Sequence, residues 1–162
     1  MNLRTITRWI PLVLCVGLIS CTTSLDKDSQ GWVLMRYYTN EERGLSGVEP
    51  IDLGDKAQLV QEAVPGSRDE MVAATLESTT LDEFPESTGS YQGAVLSWDL
   101  YTFNTEIPEL GPFPVHVDMA LAGGESQGYF VALVTLPEES EQFPEKYRSV
   151  FLHTIYSLSP LE

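Results

Sequence analysis

Basic residues are scarce in this 162-residue chain. Nine lysines and arginines stand against 24 aspartates and glutamates, so the formal net charge is −15 at pH 7. A protein that binds nucleic acid needs a basic surface to neutralise the phosphates. The composition therefore excludes nucleic acid as an expected partner. Solubility is the simplest reason for the acidity, and salt adaptation or attraction of cations are alternatives that stay open.

A long hydrophobic run is also absent. The most apolar stretch, residues 10–19, is interrupted by Pro11. A helix that crosses a bilayer needs roughly 20 apolar residues. We therefore expect no permanent transmembrane helix in this chain.

The start of the chain has the parts of a secretion signal. Arg4 and Arg8 form a basic segment, the apolar stretch follows, and a small residue precedes a cysteine in Leu18-Ile19-Ser20-Cys21. This motif resembles the lipobox of bacterial lipoproteins. The resemblance implies that residues 1–20 are a signal peptide that is removed, and that Cys21 becomes a lipid-modified N-terminus. An ordinary cleaved signal peptide with a chance cysteine is the alternative.

Lipidation of Cys21 would hold the protein at a membrane. Two or more acyl chains, such as palmitate, anchor a protein stably, whereas one chain gives only marginal binding. The expected location is the extracytoplasmic side of a cell membrane, with the inner or outer membrane left open. Removal of the signal peptide takes away two basic residues and no acid, so the formal charge changes from −15 to −17. This charge repels anionic lipid, and attachment must then come from the acyl chains.

Cysteine occurs only twice, which excludes a disulfide framework. Cys15 would leave with the signal peptide, and Cys21 would carry the lipid. The mature chain must then be stable through a packed core alone. Residues 21–31 are polar and predict a tether, and residues 32–162 predict one domain.

The first half of the domain alternates between strand and turn signals. Strands are predicted at Trp32 to Thr39, Leu45 to Val48 and Lys56 to Val64, with turns at Gly44 and at Pro65-Gly66. A helix is predicted from Asp69 onward, because three residues recur there at helical spacing, namely Val72, Leu76 and Thr79. An acidic loop is expected at residues 82–89.

The second half gives stronger patterns. Strands are predicted at Ala94 to Phe103, Phe113 to Leu121 and Tyr129 to Leu136, the last of them central in the sheet because both its faces are apolar. A last helix begins near Pro144 and ends before Ser159-Pro160. Its apolar stripe follows a period of about 3.6 residues and consists of Tyr147, Val150, Phe151, Thr154, Ile155 and Leu158. The order β-β-β-α-β-β-β-α, joined by short turns, predicts an α+β domain with an antiparallel sheet flanked by helices.

Three features carry a resemblance to a known fold. They are this element order, the run from Gly44 to Pro50 after the first strand, and a final strand that leads into a C-terminal helix ending at Leu158. Together they resemble the PsbP-like α/β/α fold. The resemblance implies an accessory or assembly subunit of a membrane-associated complex, without enzymatic activity and without a cofactor.

A serine-hydrolase pattern is present in Gly124-Glu125-Ser126-Gln127-Gly128. Catalysis by such a serine requires a sharp turn from a strand into a helix. Here the pattern leads into a predicted strand, which indicates a glycine-rich hairpin instead. We therefore expect no enzyme, and a hydrolase that uses Ser126 is kept as the alternative.

Metal ligands are too few for a predicted metal site. His116 and Asp118 share one face of a strand, but no other histidine lies near them in sequence. The segment from Asp26 to Gly31 begins like a calcium loop, yet its twelfth position is Tyr37 instead of the glutamate that completes coordination. We expect a hydrogen-bonded histidine and a solvated tether.

Two groups of apolar residues suggest binding. Leu152 and Tyr156 lie opposite the core stripe of the last helix, where they predict a docking patch for an envelope protein. The aromatic residues of one strand, Trp98, Tyr101 and Phe103, instead suggest a carrier of a small apolar ligand. The first interpretation is the expected function, and the carrier is its alternative.

Overall fold

The computed structural model describes residues 33–161. The predicted signal peptide, Cys21 and the tether therefore lie outside the described residues. Eight strands and three helices follow one another in the described range: β1 Met35–Asn40, β2 Leu45–Pro50, β3 Ala57–Pro65, α1 Arg68–Ser78, β4 Gly89–Gln92, β5 Ser97–Glu106, β6 Pro114–Gly123, β7 Gln127–Thr135, α2 Pro137–Gln142, α3 Pro144–Ser157 and β8 Ser159–Pro160.

The strands form two antiparallel sheets. The larger sheet has five strands in the order β3-β7-β6-β5-β4, and the smaller has three in the order β1-β2-β8. All pairings are between antiparallel neighbours. The predicted α+β class with an antiparallel sheet is therefore confirmed.

The structure contains two strands and one helix more than the predicted order. Strand β4 is polar and has no alternation that a sequence pattern could show; it forms because Tyr91 pairs with Trp98 of β5. Strand β8 is only two residues long, and it exists because Ser159 and Pro160 pair with β2. The acids that precede α3 belong to a separate short helix, α2.

The two faces of the large sheet carry separate cores. We name the face that packs against α3 and the small sheet the α3 face, and the opposite one, which packs against α1, the α1 face. Val131 and Leu133 of β7 belong to the core of the α3 face, whereas Ala132 belongs to the core of the α1 face. The prediction that this strand is central and covered on both sides is therefore confirmed.

Helix α3 follows its predicted pattern. Pro144 occupies the first turn, and the side chains buried along the helix are Tyr147, Val150, Phe151, Thr154 and Ile155. Leu158, at the end of the stripe, is completely buried. Sequence periodicity thus predicts both the position and the buried face of this helix.

Helix α1 begins one residue earlier than predicted. Ser67 caps it, with its side chain accepting from the backbone N–H of Glu70, while Glu70 reaches back to the backbone of Ser67. This capping box sets the start of the helix. The buried residues are Met71 and Thr75, and Val72 is half-buried against the same core.

Candidate functional site

The α1 face of the large sheet is incompletely covered. Helix α1 has 11 residues, which is about 16 Å of helix, whereas β5 and β6 have ten residues each, about 33 Å of strand. One short helix cannot cover a five-stranded sheet of this length. A groove with a volume of about 160 Å³ therefore lies between α1, the sheet and the loop after β5.

The floor of this groove is apolar. It is formed by side chains of four adjacent strands, namely Val60, Phe103, Val117, Met119, Phe130, Ala132 and Val134. Cross-strand pairing explains why they meet: Phe103 stands opposite Val117, and Val117 stands opposite Val134. Alternation along each strand sends these residues to the same face.

The two walls of the groove are held to the sheet. Met71, Ala74 and Thr75 of α1 form one wall, and Ile107 and Leu110 form the other. The chain that leaves α1 is tied to the end of β5, because the Thr80 N–H donates to the Glu106 carbonyl at 3.1 Å. The second wall is a turn in which the Leu110 N–H donates to the Ile107 carbonyl at 2.8 Å.

Apart from Thr75 in the α1 wall, whose hydroxyl donates to the Met71 carbonyl, the polar groups lie around the opening. Gln58, Glu77, Ser78, Thr79 and Glu109 are the hydrophilic residues at the edge of the groove, and no lysine, arginine or histidine lines it. Glu77 and Glu109 are exposed, and neither forms an ion pair within residues 33–161. The groove is thus an apolar cavity with an acidic rim.

The three aromatic residues proposed for ligand binding are placed differently by the structure. Phe103 lines the groove. Tyr101 lies on the same face but is buried. Its ring contacts Phe84 at a centroid distance of 4.9 Å, and its hydroxyl accepts a hydrogen bond from Arg68. Trp98 is buried on the opposite face of the sheet. The prediction of one aromatic site is therefore wrong. Trp98 and Phe103 are an odd number of residues apart on β5, so their side chains lie on opposite faces of the sheet.

Sequence reasoning missed most of the groove. Met71, Ile107 and Leu110 come from a helix and a loop whose positions over the sheet no local pattern predicts. A partial signal exists in β6, where the predicted alternation places Val117 and Met119 on one buried face. Phe113, predicted with them, lies before the strand and is 41% exposed.

A second cleft of about 570 Å³, lined by both polar and apolar side chains, lies on the α3 face. It contains His116, whose Nδ1 lies 2.9 Å from Asn104 Oδ1 and whose Nε2 lies 3.5 Å from Asp118 Oδ2. Thr102 donates a hydrogen bond to Asp118 at 2.8 Å. The expected shared strand face of His116 and Asp118 is confirmed. Across the described part of the chain, no three His, Cys, Asp or Glu residues are grouped to hold a metal ion.

Ser126 lies in the hairpin between β6 and β7. The two strands close with Gly123 opposite Gly128, and the Gly124 N–H donates to the Gln127 carbonyl at 3.0 Å. Gly123 has φ of 117°, a conformation that favours glycine. Ser126 is exposed and leads into strand β7, so the predicted glycine-rich hairpin is confirmed. The absence of enzymatic activity stays a prediction.

The proposed docking pair is divided between core and surface. Leu152 is half-buried and packs against the core of the α3 face, whereas Tyr156 is 53% exposed. The prediction of one exposed patch is therefore wrong, because Leu152 packs against the buried core of this face. A docking role for this helix stays a prediction.

Within residues 33–161, no helix is long and apolar enough to span a membrane. No protein-family model matches the chain, and no curated protein matches it.

Proposed function

We propose that this protein is a lipid-anchored envelope lipoprotein whose domain binds a small apolar molecule in the groove beneath α1. The observation that supports the proposal is the groove itself, with an apolar floor built by four strands and an opening to solvent. Val117, Met119 and Ala132 of the floor are buried, whereas Val60, Phe103 and Val134 are half-buried. A ligand that covers the exposed part of these half-buried side chains gains about 25 cal/mol per Å² of apolar surface.

The volume of the groove limits the size of the enclosed part of the ligand. An engineered cavity of about 150 Å³ lined by apolar side chains binds benzene. The groove beneath α1, at about 160 Å³, is of similar size. We expect it to enclose one aromatic ring or a short alkyl segment, with the rest of the molecule at the opening.

The anchor and the fold family are parts of the same proposal. The lipobox resemblance assigns lipidation to Cys21, and the observed antiparallel α+β architecture is compatible with a PsbP-like domain. Anchoring would hold the groove beside a lipid phase, where apolar molecules concentrate. Retention or delivery of such a molecule within a membrane-associated assembly is then the accessory role.

Two neighbouring alanines of α1 provide a matched test. Ala74 lines the groove, whereas Ala73 is exposed on the other side of the helix. Ala74→Phe should fill the groove and abolish binding of phenethyl alcohol, measured by calorimetry on the full chain. Ala73→Phe should leave this binding unchanged. Equal binding by both variants, or no binding by the wild-type protein, would contradict the proposed function.

A further inference from the structure

The rim of the groove is negatively charged from two elements of the fold. Glu77 projects from the last turn of α1, and Glu109 belongs to the loop that forms the opposite wall. Neither carboxylate has an ion-pair partner among the described residues, and the lining of the groove includes no basic side chain. A ligand head group at the opening therefore meets uncompensated negative charge.

The end of α1 adds to this field. The C-terminus of a helix carries roughly half a negative elementary charge, which favours a nearby cation. The last turn of α1 contains no basic residue, and Glu77 itself lies there. The negative end of α1 and the Glu77 carboxylate thus both favour a cation at the opening of the groove.

The apolar floor and the acidic rim point to different parts of one ligand. We infer that the ligand is a small amphipathic cation, with an apolar body in the groove and an ammonium-type head between Glu77 and Glu109. This inference rests on the proposed function, because it concerns the same groove. Carboxylate amphiphiles such as fatty-acid anions are disfavoured, since their head group would be repelled by both acids and by the helix end.

Three probes of similar size and different charge test the inference. Phenethylamine is cationic at neutral pH, phenethyl alcohol is neutral and phenylacetate is anionic. We expect the full chain to bind the amine most tightly and phenylacetate most weakly. Exposed charge pairs contribute about 0.2–1 kcal/mol each, so two carboxylates should change the dissociation constant of the amine about fivefold. Raising the salt concentration should reduce this preference.

Variants of the rim identify the source of the preference. Glu77→Gln combined with Glu109→Gln should weaken amine binding about fivefold and change the binding of phenethyl alcohol much less. Glu42→Gln is the control, because Glu42 is exposed in the turn between β1 and β2. It should change neither affinity.

The outcomes separate the two proposals. Equal affinity for amine and phenylacetate, or unchanged amine binding in the double variant, would overturn the cation inference while leaving an apolar site in place. Failure of phenethyl alcohol to bind, or its continued binding to Ala74→Phe, would overturn the proposed function and the inference with it. Preferential amine binding that depends on Glu77 and Glu109 would support both.

Discussion

At the scale of single residues, one buried hydrogen bond joins the two C-terminal helices. The Tyr147 hydroxyl donates to Glu139 Oε1 at 2.9 Å, and both residues are buried. Lys56 Nζ lies 3.4 Å from the other carboxylate oxygen of Glu139. Lys146 Nζ lies 4.0 Å from Oε1 as well. The carboxylate is therefore kept in the interior by one hydroxyl donor from α3 and by two lysines.

Removal of this donor should be costly. Tyr147→Phe leaves a buried carboxylate without its hydrogen bond, and hydrogen bonds to charged groups contribute about 1.5–3 kcal/mol. We expect urea denaturation to show a loss within that range. Tyr156→Phe is the control on the same helix, because Tyr156 is half-exposed and its hydroxyl has no hydrogen bond in the described range. Equal stability of both variants would show that the bond contributes nothing.

The same tyrosine predicts a loss of stability at alkaline pH. Two causes raise the pKa of Tyr147 above its ordinary value: burial, which has the larger effect, and the hydrogen bond to Glu139. Because the folded pKa is the higher one, the stabilisation is complete below the unfolded value of about 10 and is lost as the pH rises above it. Denaturation measured across this range should show a smaller alkaline loss in Tyr147→Phe than in the wild-type protein. The same slope in both would contradict the assignment.

At the scale of elements, the sequence predicts a helix or strand when the interactions that form it lie within its own residues. Helix α3 could be predicted because its apolar period and Pro144 lie within its own sequence. Strand β8 could not, because its two residues become a strand only by pairing with Leu45 and Ser46, more than a hundred positions earlier. The burial of Met71 in α1 is also not visible in the local sequence, because it depends on how the helix lies over the sheet.

The cap of α1 gives the element-scale prediction. Ser67→Ala removes one side of the capping box and should cost about 1 kcal/mol of stability. Because α1 is a wall of the groove, binding of phenethyl alcohol should weaken as well, and amide hydrogen exchange in residues 68–72 should accelerate. Ser126→Ala is the control, since the Ser126 hydroxyl makes no hydrogen bond within the described residues. Unchanged exchange in Ser67→Ala would show that the cap does not hold the helix.

At the scale of the whole molecule, the proposed function rests on two features with different origins. The lipobox-like motif is linear, which is why lipidation of Cys21 can be proposed from the sequence alone. The groove is not linear, because it forms where a short helix meets a longer sheet and a loop closes one side. Alternation along the strands predicts which residues share a face of the sheet. It does not predict that α1 leaves part of one face uncovered, because that depends on how the helix packs on the sheet.

Anchoring can be tested independently of the groove. Cys21→Ala should abolish incorporation of labelled fatty acid and release the protein from the membrane fraction. The mature wild-type protein should begin at a modified Cys21 by mass spectrometry. An intact residue 1–20 segment on protein from its native host, or incorporation of label by Cys21→Ala, would contradict the lipoprotein assignment.

The occupancy of the groove is tested most directly by its own methionines. Met71 and Met119 line the groove, whereas Met35 lies in β1 of the other sheet. In the full chain labelled with carbon-13 at the methionine methyls, titration with phenethyl alcohol should shift the signals of Met71 and Met119 and leave Met35 in place. Unmoved signals at both groove methionines, or equal movement of all three, would contradict an apolar binding site beneath α1.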